Sequence, residues 1–191
     1  MHAVRDIRAG RRVKIRHASP RDEDAFLELR RSSGSFLTRW EPIREGGEGE
    51  LAPEMELFRR MIEFDDSRVP LLVERRGDSV ILGVININQV ARGAFQNCAL
   101  GWWIGRPHAR KGYMKEAVAL VLEHIFLDLD LHRVEANIQT DNPASRALAE
   151  GVGMRREGFS ERFLKIAGRW CDHERWAITS ETWHESGDMP H

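Results

Sequence analysis

Arg106, Arg110 and Lys111 stand close together and lead straight into Gly112, Tyr113 and Met114. Ahead of them runs Leu-Gly-Trp-Trp-Ile at 100–104, and behind them Met114, Val118, Val121 and Ile125 recur at helical spacing. Strand, cationic turn and helix therefore follow one another directly. The first N–H groups of a helix lack partners and carry the positive end of its dipole, so they converge with the three cations on one place. Such a place suits an anion, most simply a phosphate. Gly112, without a Cβ, would let phosphate oxygens approach the main chain. An ordinary strand-to-helix connection with a solvated basic turn has the same composition. Two nucleotide motifs are excluded, because no Gly-Lys-Ser/Thr closes a Gly-x-x-x-x-Gly frame and no Gly-x-Gly-x-x-Gly occurs.

Two further groups could do chemistry. Asn142-Pro143-Ala144-Ser145 opens a later helix, with Pro143 at its first position. Asn142 there is either a simple N-cap or a ligand contact, and Ser145 either a small surface residue or a proton donor. Trp40-Glu41-Pro42 lies in a stretch rich in Gly, Ser, Glu and Pro between Ser32 and Pro53. Trp40 could plug that loop onto the body with Glu41 merely solvated, or the loop could line a channel in which Glu41 meets an ammonium.

The elements that must position these residues read as one α/β domain over residues 1–191, with loose ends. Val13 to His17 alternates as a strand, and Ser19-Pro20-Arg21-Asp22 starts a helix that the pattern carries to about Arg31. The stretch from 32 to 53, including Gly46-Gly47-Glu48-Gly49, reads as a mobile connection. A second helix spans about Pro53 to Asp65, a strand Val69 to Glu74, and a long hairpin Val80–Val90 and Phe95–Ile104. After the helix from Tyr113 come a strand at Arg133–Gln139, a helix at Ser145–Glu150 and a strand pair around Ala167-Gly168. This order implies a mixed sheet flanked by helices. The tail from Glu185 reads as polar and loose.

Composition narrows the function. With 191 residues, 41% of them hydrophobic, one well-buried core is affordable, and a net charge of -1 argues against a broad electrostatic grip on nucleic acid. No apolar run approaches membrane-spanning length, and the start shows no hydrophobic signal core, so the cytoplasm is the expected location. Cys98 and Cys171 are too few for a disulfide scaffold or a zinc site and read as buried thiols; no metal is expected.

The turn at 109–114 resembles the acyl-coenzyme-A loop of the GCN5-related N-acetyltransferases (GNATs), Gln/Arg-x-x-Gly-x-Gly/Ala. Gly112 matches, while Ala109 and Met114 stand where Gln or Arg and Gly or Ala are usual. Trp40-Glu41-Pro42, the hairpin turn Val90-Ala91-Arg92-Gly93-Ala94-Phe95, Asp141-Asn142-Pro143-Ala144-Ser145 and Gly168-Arg169-Trp170-Cys171-Asp172-His173 are similar to the RimJ/RimL branch, on its RimJ side. The likeness spans about residues 12 to 183. It implies the GNAT acyl-CoA fold with a mixed, mostly antiparallel sheet, acetyl-CoA as donor, and acetylation of a protein N-terminus, a ribosomal one, as monomer or homodimer.

The resemblance also implies roles. Main-chain groups of Trp102, Trp103 and Ile104 would hold the pantetheine arm, and Arg106, Arg110, Lys111, Gly112, Tyr113 and Met114 the phosphates. Asn142 would hold pantetheine amides and Ser145 would protonate the leaving sulfur. Trp40, Glu41 and Asp172 would meet the acceptor, Glu41 and Asp172 removing its proton through water. Adjacent strand residues face opposite ways, so only one of Asp172 and His173 points inward. The likeness favours Asp172, leaving His173 and His108 as surface histidines. The strand residues Cys98-Ala99-Leu100-Gly101 lack the glutamate many acetyltransferases use as base. Freeing an α-amine of pKa ~7.8 at pH 7 costs about 1 kcal/mol against about 4.6 for a lysine, so an α-amine acceptor fits that lack better. A small-molecule amine (polyamine, aminoglycoside or amino acid) and a non-catalytic coenzyme- or ribosome-binding protein are the competing readings.

Overall fold

A computed structural model describes residues 6–42 and 54–185. The glycine cluster at 46–49, the first residues and the tail beyond Glu185 lie outside them. Eight strands form one sheet in the order β1-β2-β3-β4-β5-β6-β8-β7. They are β1 (Asp6–Ala9), β2 (Val13–Arg16), β3 (Arg68–Arg75), β4 (Ile81–Ala91), β5 (Asn97–Ile104), β6 (Arg133–Gln139), β7 (Arg155–Ile166) and β8 (Arg169–Thr179). The helices are α1 (Glu23–Thr38), α2 (Glu54–Ile62), α3 (Tyr113–Leu127), α4 (Pro143–Gly151) and α5 (Ser180–Glu185). β5 and β6 run parallel, since α3 carries the chain across between them; the other neighbours are antiparallel. This is the mixed sheet with flanking helices that the element order implies, with the mostly antiparallel pairing that the family resemblance implies.

The two faces of the sheet are buried separately. Ile15, Leu71, Val73 and Ile85 pack with Val118, Val121 and Ile125 of α3, whereas Leu72 and Val84 pack with Phe26, Leu29, Phe58 and Met61 of α1 and α2. Successive residues of β3 thus serve opposite cores, as the two-residue period of a strand requires when both faces are covered.

Three elements depart from the sequence reading. β1 is a strand where a loose end is expected; four residues rich in charge show no period, and pairing with β2 from Ala9↔Lys14 to Asp6↔Arg16 orders them. α1 continues to Thr38, through Ser32-Ser33-Gly34-Ser35, with a kink at Gly34 (φ 18, ψ -114). Propensity is overruled there by burial: Ser33 and Leu37 are both closed off from solvent and hold the last turns down. α5 forms over Ser180–Glu185, where the sequence reading places no element.

The relationship that shapes the site lies between β5 and β6. They pair only at Asn97↔Arg133, Cys98↔Val134 and Ala99↔Glu135. From Leu100 to Ile104, β5 stays bonded to β4, and β6 follows β8 as far as Gln139↔His173. The strands splay apart and leave a free edge along Leu100–Ile104.

Candidate active site

The free edge opens into a cleft of about 1170 Å³. Trp102, Trp103 and Ile104 line its wall, Arg106, Arg110, Gly112, Tyr113 and Met114 one end, and Trp40 and Glu41 the other. Asn142 and Ser145 close it from α4. Four stretches remote in sequence therefore meet at one cavity.

The cationic turn is held from two sides. After β5 the chain makes one 3-10 turn at Arg106–His108. The Arg106 N–H donates to Ser33 Oγ at 3.0 Å, and a Cβ on Gly105 would come within 2.2 Å of Leu29, so α1 lies tight against the turn. Arg110 (φ 61) and Gly112 (φ 77) are both left-handed, which turns the main chain sharply into α3. On the far side stands Arg12. Its Nε donates to Glu116 Oε2 at 2.8 Å and its Nη1 to the Lys111 carbonyl at 3.0 Å, and its guanidinium lies over the Tyr113 ring at 5.2 Å. Gly112 is thus favoured by its backbone conformation, and an added Cβ would lie 3.2 Å from Arg12 Nη2, so the Arg12 side chain would have to give. Lys111 does not line the cleft: its Nζ donates to the Pro107 carbonyl at 2.8 Å.

On α4, Asn142 Oδ1 accepts the Ser145 N–H at 3.1 Å, so Asn142 is an N-cap. The cap fixes where Ser145 stands, and the Ser145 hydroxyl, half-buried at the cleft, has no hydrogen-bond partner among the described residues.

At the opposite end, Glu41 is bound by Arg30, whose Nη1 and Nη2 donate to the two carboxylate oxygens at 2.5 and 2.7 Å. Arg30 also donates to Glu54 at 2.8 Å and lies over Trp103 at 5.1 Å. Burial works against its charge, yet the bonds to Glu41 and Glu54 outweigh it and push its pKa up. A forked ion pair of this kind fixes the orientation of the carboxylate. The loop is pinned further by the Ala167 N–H on the Glu41 carbonyl, 2.9 Å.

Asp172 is not brought to the cleft. Its Oδ1 accepts the Arg162 N–H at 2.8 Å, holding the bulge of β7 where the β7–β8 register slips between Ser160 and Leu164. Of the adjacent pair it is His173 that is buried, 2% exposed, against the expectation of a surface histidine; its Nδ1 meets the Cys171 carbonyl at 2.9 Å. Cys98 is buried and its thiol pushed up to about 12, chiefly by that burial, whereas Cys171 is only half-buried. His108 is half-buried, and its pKa is lowered by burial first and then by Arg75 and Lys111. No group of three or more His, Cys, Asp or Glu among the described residues could hold a metal.

Arg12, Arg30 and Ser33 escape a motif search, but Arg30 leaves a trace. Phe26, Arg30, Ser33 and Leu37 fall on one helical stripe, so a cation sits at a core position.

Over residues 12–155 the chain matches the family model described as "Acetyltransferase (GNAT) domain". It belongs to that family. It is therefore an acyltransferase, and its acyl donor is acetyl-CoA. Among curated relatives it is 29% identical over 173 residues to "Probable N-acetyltransferase YjcK" of Bacillus subtilis, covering 88% of this chain and 94% of that one. It is 28% identical over 179 residues to "[Ribosomal protein uS5]-alanine N-acetyltransferase" of Escherichia coli, covering 90% of each. Among solved structures, "Mycobacterium smegmatis RimJ in complex with CoA-disulfide" superposes with a TM-score of 0.78 at 29% identity, over 90% of this chain and 86% of that one. No helix among the described residues is long and apolar enough to cross a membrane.

The cleft fits the donor. The free β5 edge offers main-chain partners to an amide-bearing arm, and the α3 N-terminus with Arg106 and Arg110 offers donors and positive charge to a diphosphate.

Proposed function

We propose that this protein transfers acetyl from acetyl-CoA to the N-terminal α-amine of a protein, a ribosomal protein beginning with Ala or Ser, by direct attack in a ternary complex. The observation that carries this reading is the single cleft lined by Gly112, by the free β5 edge and by Trp40 and Glu41, which brings the candidate donor and acceptor residues to one place. The likeness to the uS5-alanine enzyme over 90% of both chains supports the acceptor.

In this reading Trp102, Trp103 and Ile104 bind the arm through their main chain, while Arg106, Arg110 and the amides of Gly112, Tyr113 and Met114 bind the phosphates. Lys111 adds charge from outside the cleft. Asn142 sets the start of α4, and Ser145, whose hydroxyl is unpartnered, donates a proton to the departing sulfur. Trp40 walls the acceptor end. Glu41, though forked onto Arg30, keeps lone pairs able to accept a hydrogen bond from the incoming ammonium or from a water that drains its proton. Asp172, tied to the β7 bulge, takes no part. A polyamine acceptor is disfavoured by the arginines at that end of the cleft, Arg39 and Arg68, which would repel a polycation.

The test is acetyl-CoA turnover with peptides beginning Ala or Ser, together with a map of N-terminal acetylation in cells lacking the gene. Turnover with such peptides and loss of particular N-terminal acetyl groups are expected. Absence of turnover with every such peptide, beside an unchanged map, would overturn the reading.

A further inference from the structure

On the face of the sheet covered by α1 and α2, the residues in line are Leu72, Val84 and Trp103, then Pro70, Asn86 and Gly101, then Arg68, Asn88 and Ala99. The first row is apolar, with Leu72 and Val84 buried against Phe26, Phe58 and Met61 and Trp103 partly buried beside them. The next two change character, and the face becomes small and polar where Arg68, Asn86 and Gly101 line the cleft. Gly101 keeps this floor low: a Cβ there would approach only Asn88, at 3.7 Å.

Among the described residues, Arg68 stands on that floor as a cation with no carboxylate bonded to its guanidinium. Its Nη2 reaches Asn86 Oδ1 at 3.5 Å, and it has no salt bridge among the described residues. Asp65 attracts it, but Asp65 Oδ1 already accepts from the Ser67 N–H, the Ser67 hydroxyl and the Arg68 N–H. Arg60 of α2 repels it, and burial followed by that repulsion lowers its pKa, the reverse of Arg30 in the same cleft. A half-buried guanidinium held near another cation and left without a carboxylate is short of a partner. The donor phosphates do not supply one: Arg68 lies opposite the Ala99 end of β5, about 17 Å along the strand from Ile104, at ~3.3 Å per residue.

We propose that Arg68 selects the acceptor by pairing with a carboxylate that the acceptor carries within a few residues of its reactive amine. The acceptor class is then a protein N-terminus with Asp or Glu close behind its first residue. This rests on the α-amine reading above and adds a specificity to it. Asn86, bonded to the same guanidinium, orients it, and Arg39, its guanidinium over the Trp40 ring at 4.2 Å and also without a salt bridge among the described residues, adds positive potential. Charge complementarity of this kind raises encounter and affinity for the matching peptide and penalises the opposite sign.

The experiment compares peptides identical except for Asp, Asn or Lys at one of positions two to four, using the full-length protein and acetyl-CoA. The Asp peptide should exceed the Asn peptide in kcat/KM by about five- to tenfold, carried in KM, with the Lys peptide poorest. Arg68→Gln should erase that preference by lowering kcat/KM for the Asp peptide far more than for the Asn peptide, Arg68→Lys should keep part of it, and Arg68→Glu should invert it toward the Lys peptide. Coenzyme A affinity by calorimetry should stay within about twofold in every variant, which also reports folding. Should Arg68→Glu fail to fold, Arg68→Gln and Arg68→Lys carry the comparison. Equal use of the three peptides by the unaltered protein, or an equal loss on all three in Arg68→Gln, overturns the inference and leaves the α-amine reading intact. If no peptide is acetylated at all, both fall.

Discussion

Arg12 and Glu116, far apart in sequence, clasp one another across the start of α3. Glu116 Oε1 accepts the Arg12 N–H at 2.6 Å and the Val13 N–H at 3.2 Å, while Oε2 accepts Arg12 Nε at 2.8 Å. Burial alone would raise the Glu116 carboxyl, but these bonds hold it below its usual range. Replacing Glu116 with Ala strands two backbone donors and frees Arg12 from the Lys111 carbonyl. A loss of about 2 kcal/mol in stability, some 4–8 °C in Tm, and a several-fold weaker coenzyme A are expected by calorimetry and thermal melts.

Gly112 should not tolerate replacement. Ala there keeps φ 77 only at a cost of about 1 kcal/mol, and Asp adds like charge beside a diphosphate. Titration calorimetry should show Gly112→Asp weakening coenzyme A by about tenfold or more, with Gly112→Ala in between.

Ser145→Ala should lower kcat by roughly 100-fold or more with coenzyme A affinity little changed, since it removes the proton donor to the departing sulfur. Asn142→Ala should instead act on α4, costing about 1 kcal/mol of stability through the lost cap. Kinetics beside melting curves would separate the two, and full activity in Ser145→Ala would exclude the hydroxyl from the reaction.

The Arg30 fork sets the acceptor end. Arg30→Met leaves Glu41 and Glu54 without their cation, costing about 2 kcal/mol, less than a fully buried pair because both carboxylates keep some water. KM for the peptide should rise while coenzyme A binding holds.

Acid should loosen the other end of the sheet. Arg16 bonds Glu74 at 2.5 Å and Asp22 at 2.7 Å, and although burial alone would raise both carboxyls, these bonds hold them below the usual carboxylate range. Their contribution is therefore present above the unfolded values near 4 and lost as pH falls through and below them. Melting temperature should drop steeply between about pH 5 and pH 3, and Arg16→Met, less stable at neutral pH, should show a shallower slope.

Periodicity carries a reader far into this chain. Arg133–Gln139 is the same strand in both views, and α3 starts at Tyr113 as its apolar spacing implies. The cationic turn, Asn142, Ser145 and the Trp40–Glu41 loop all reach one cleft. What spacing cannot see is who meets whom across the fold. The pairing of Glu41 with Arg30, of Ser33 with Arg106 and of Arg12 with Glu116 depends on how α1 and the β1–β2 turn lie against the sheet. Asp172 comes to the acceptor by resemblance and not by spacing, and the fold ties its carboxylate instead to the Arg162 N–H at the β7 bulge.

The short junction of β5 and β6 has a last consequence. Asn97, Cys98 and Ala99, together with the Gln96 carbonyl that accepts from the His132 and Arg133 N–H groups, join β1–β5 to β6–β8 through the backbone, so an acyl donor lying along Leu100–Ile104 would supply the missing rungs of that ladder. Ligand and polypeptide together then make the finished fold, and resistance to unfolding rises as RT ln(1 + [L]/Kd) with the supply of donor. Amide exchange at Leu100–Ile104 and Ala136–Gln139 should slow together when coenzyme A is added, which makes this protein's lifetime a gauge of how much of its own substrate is at hand.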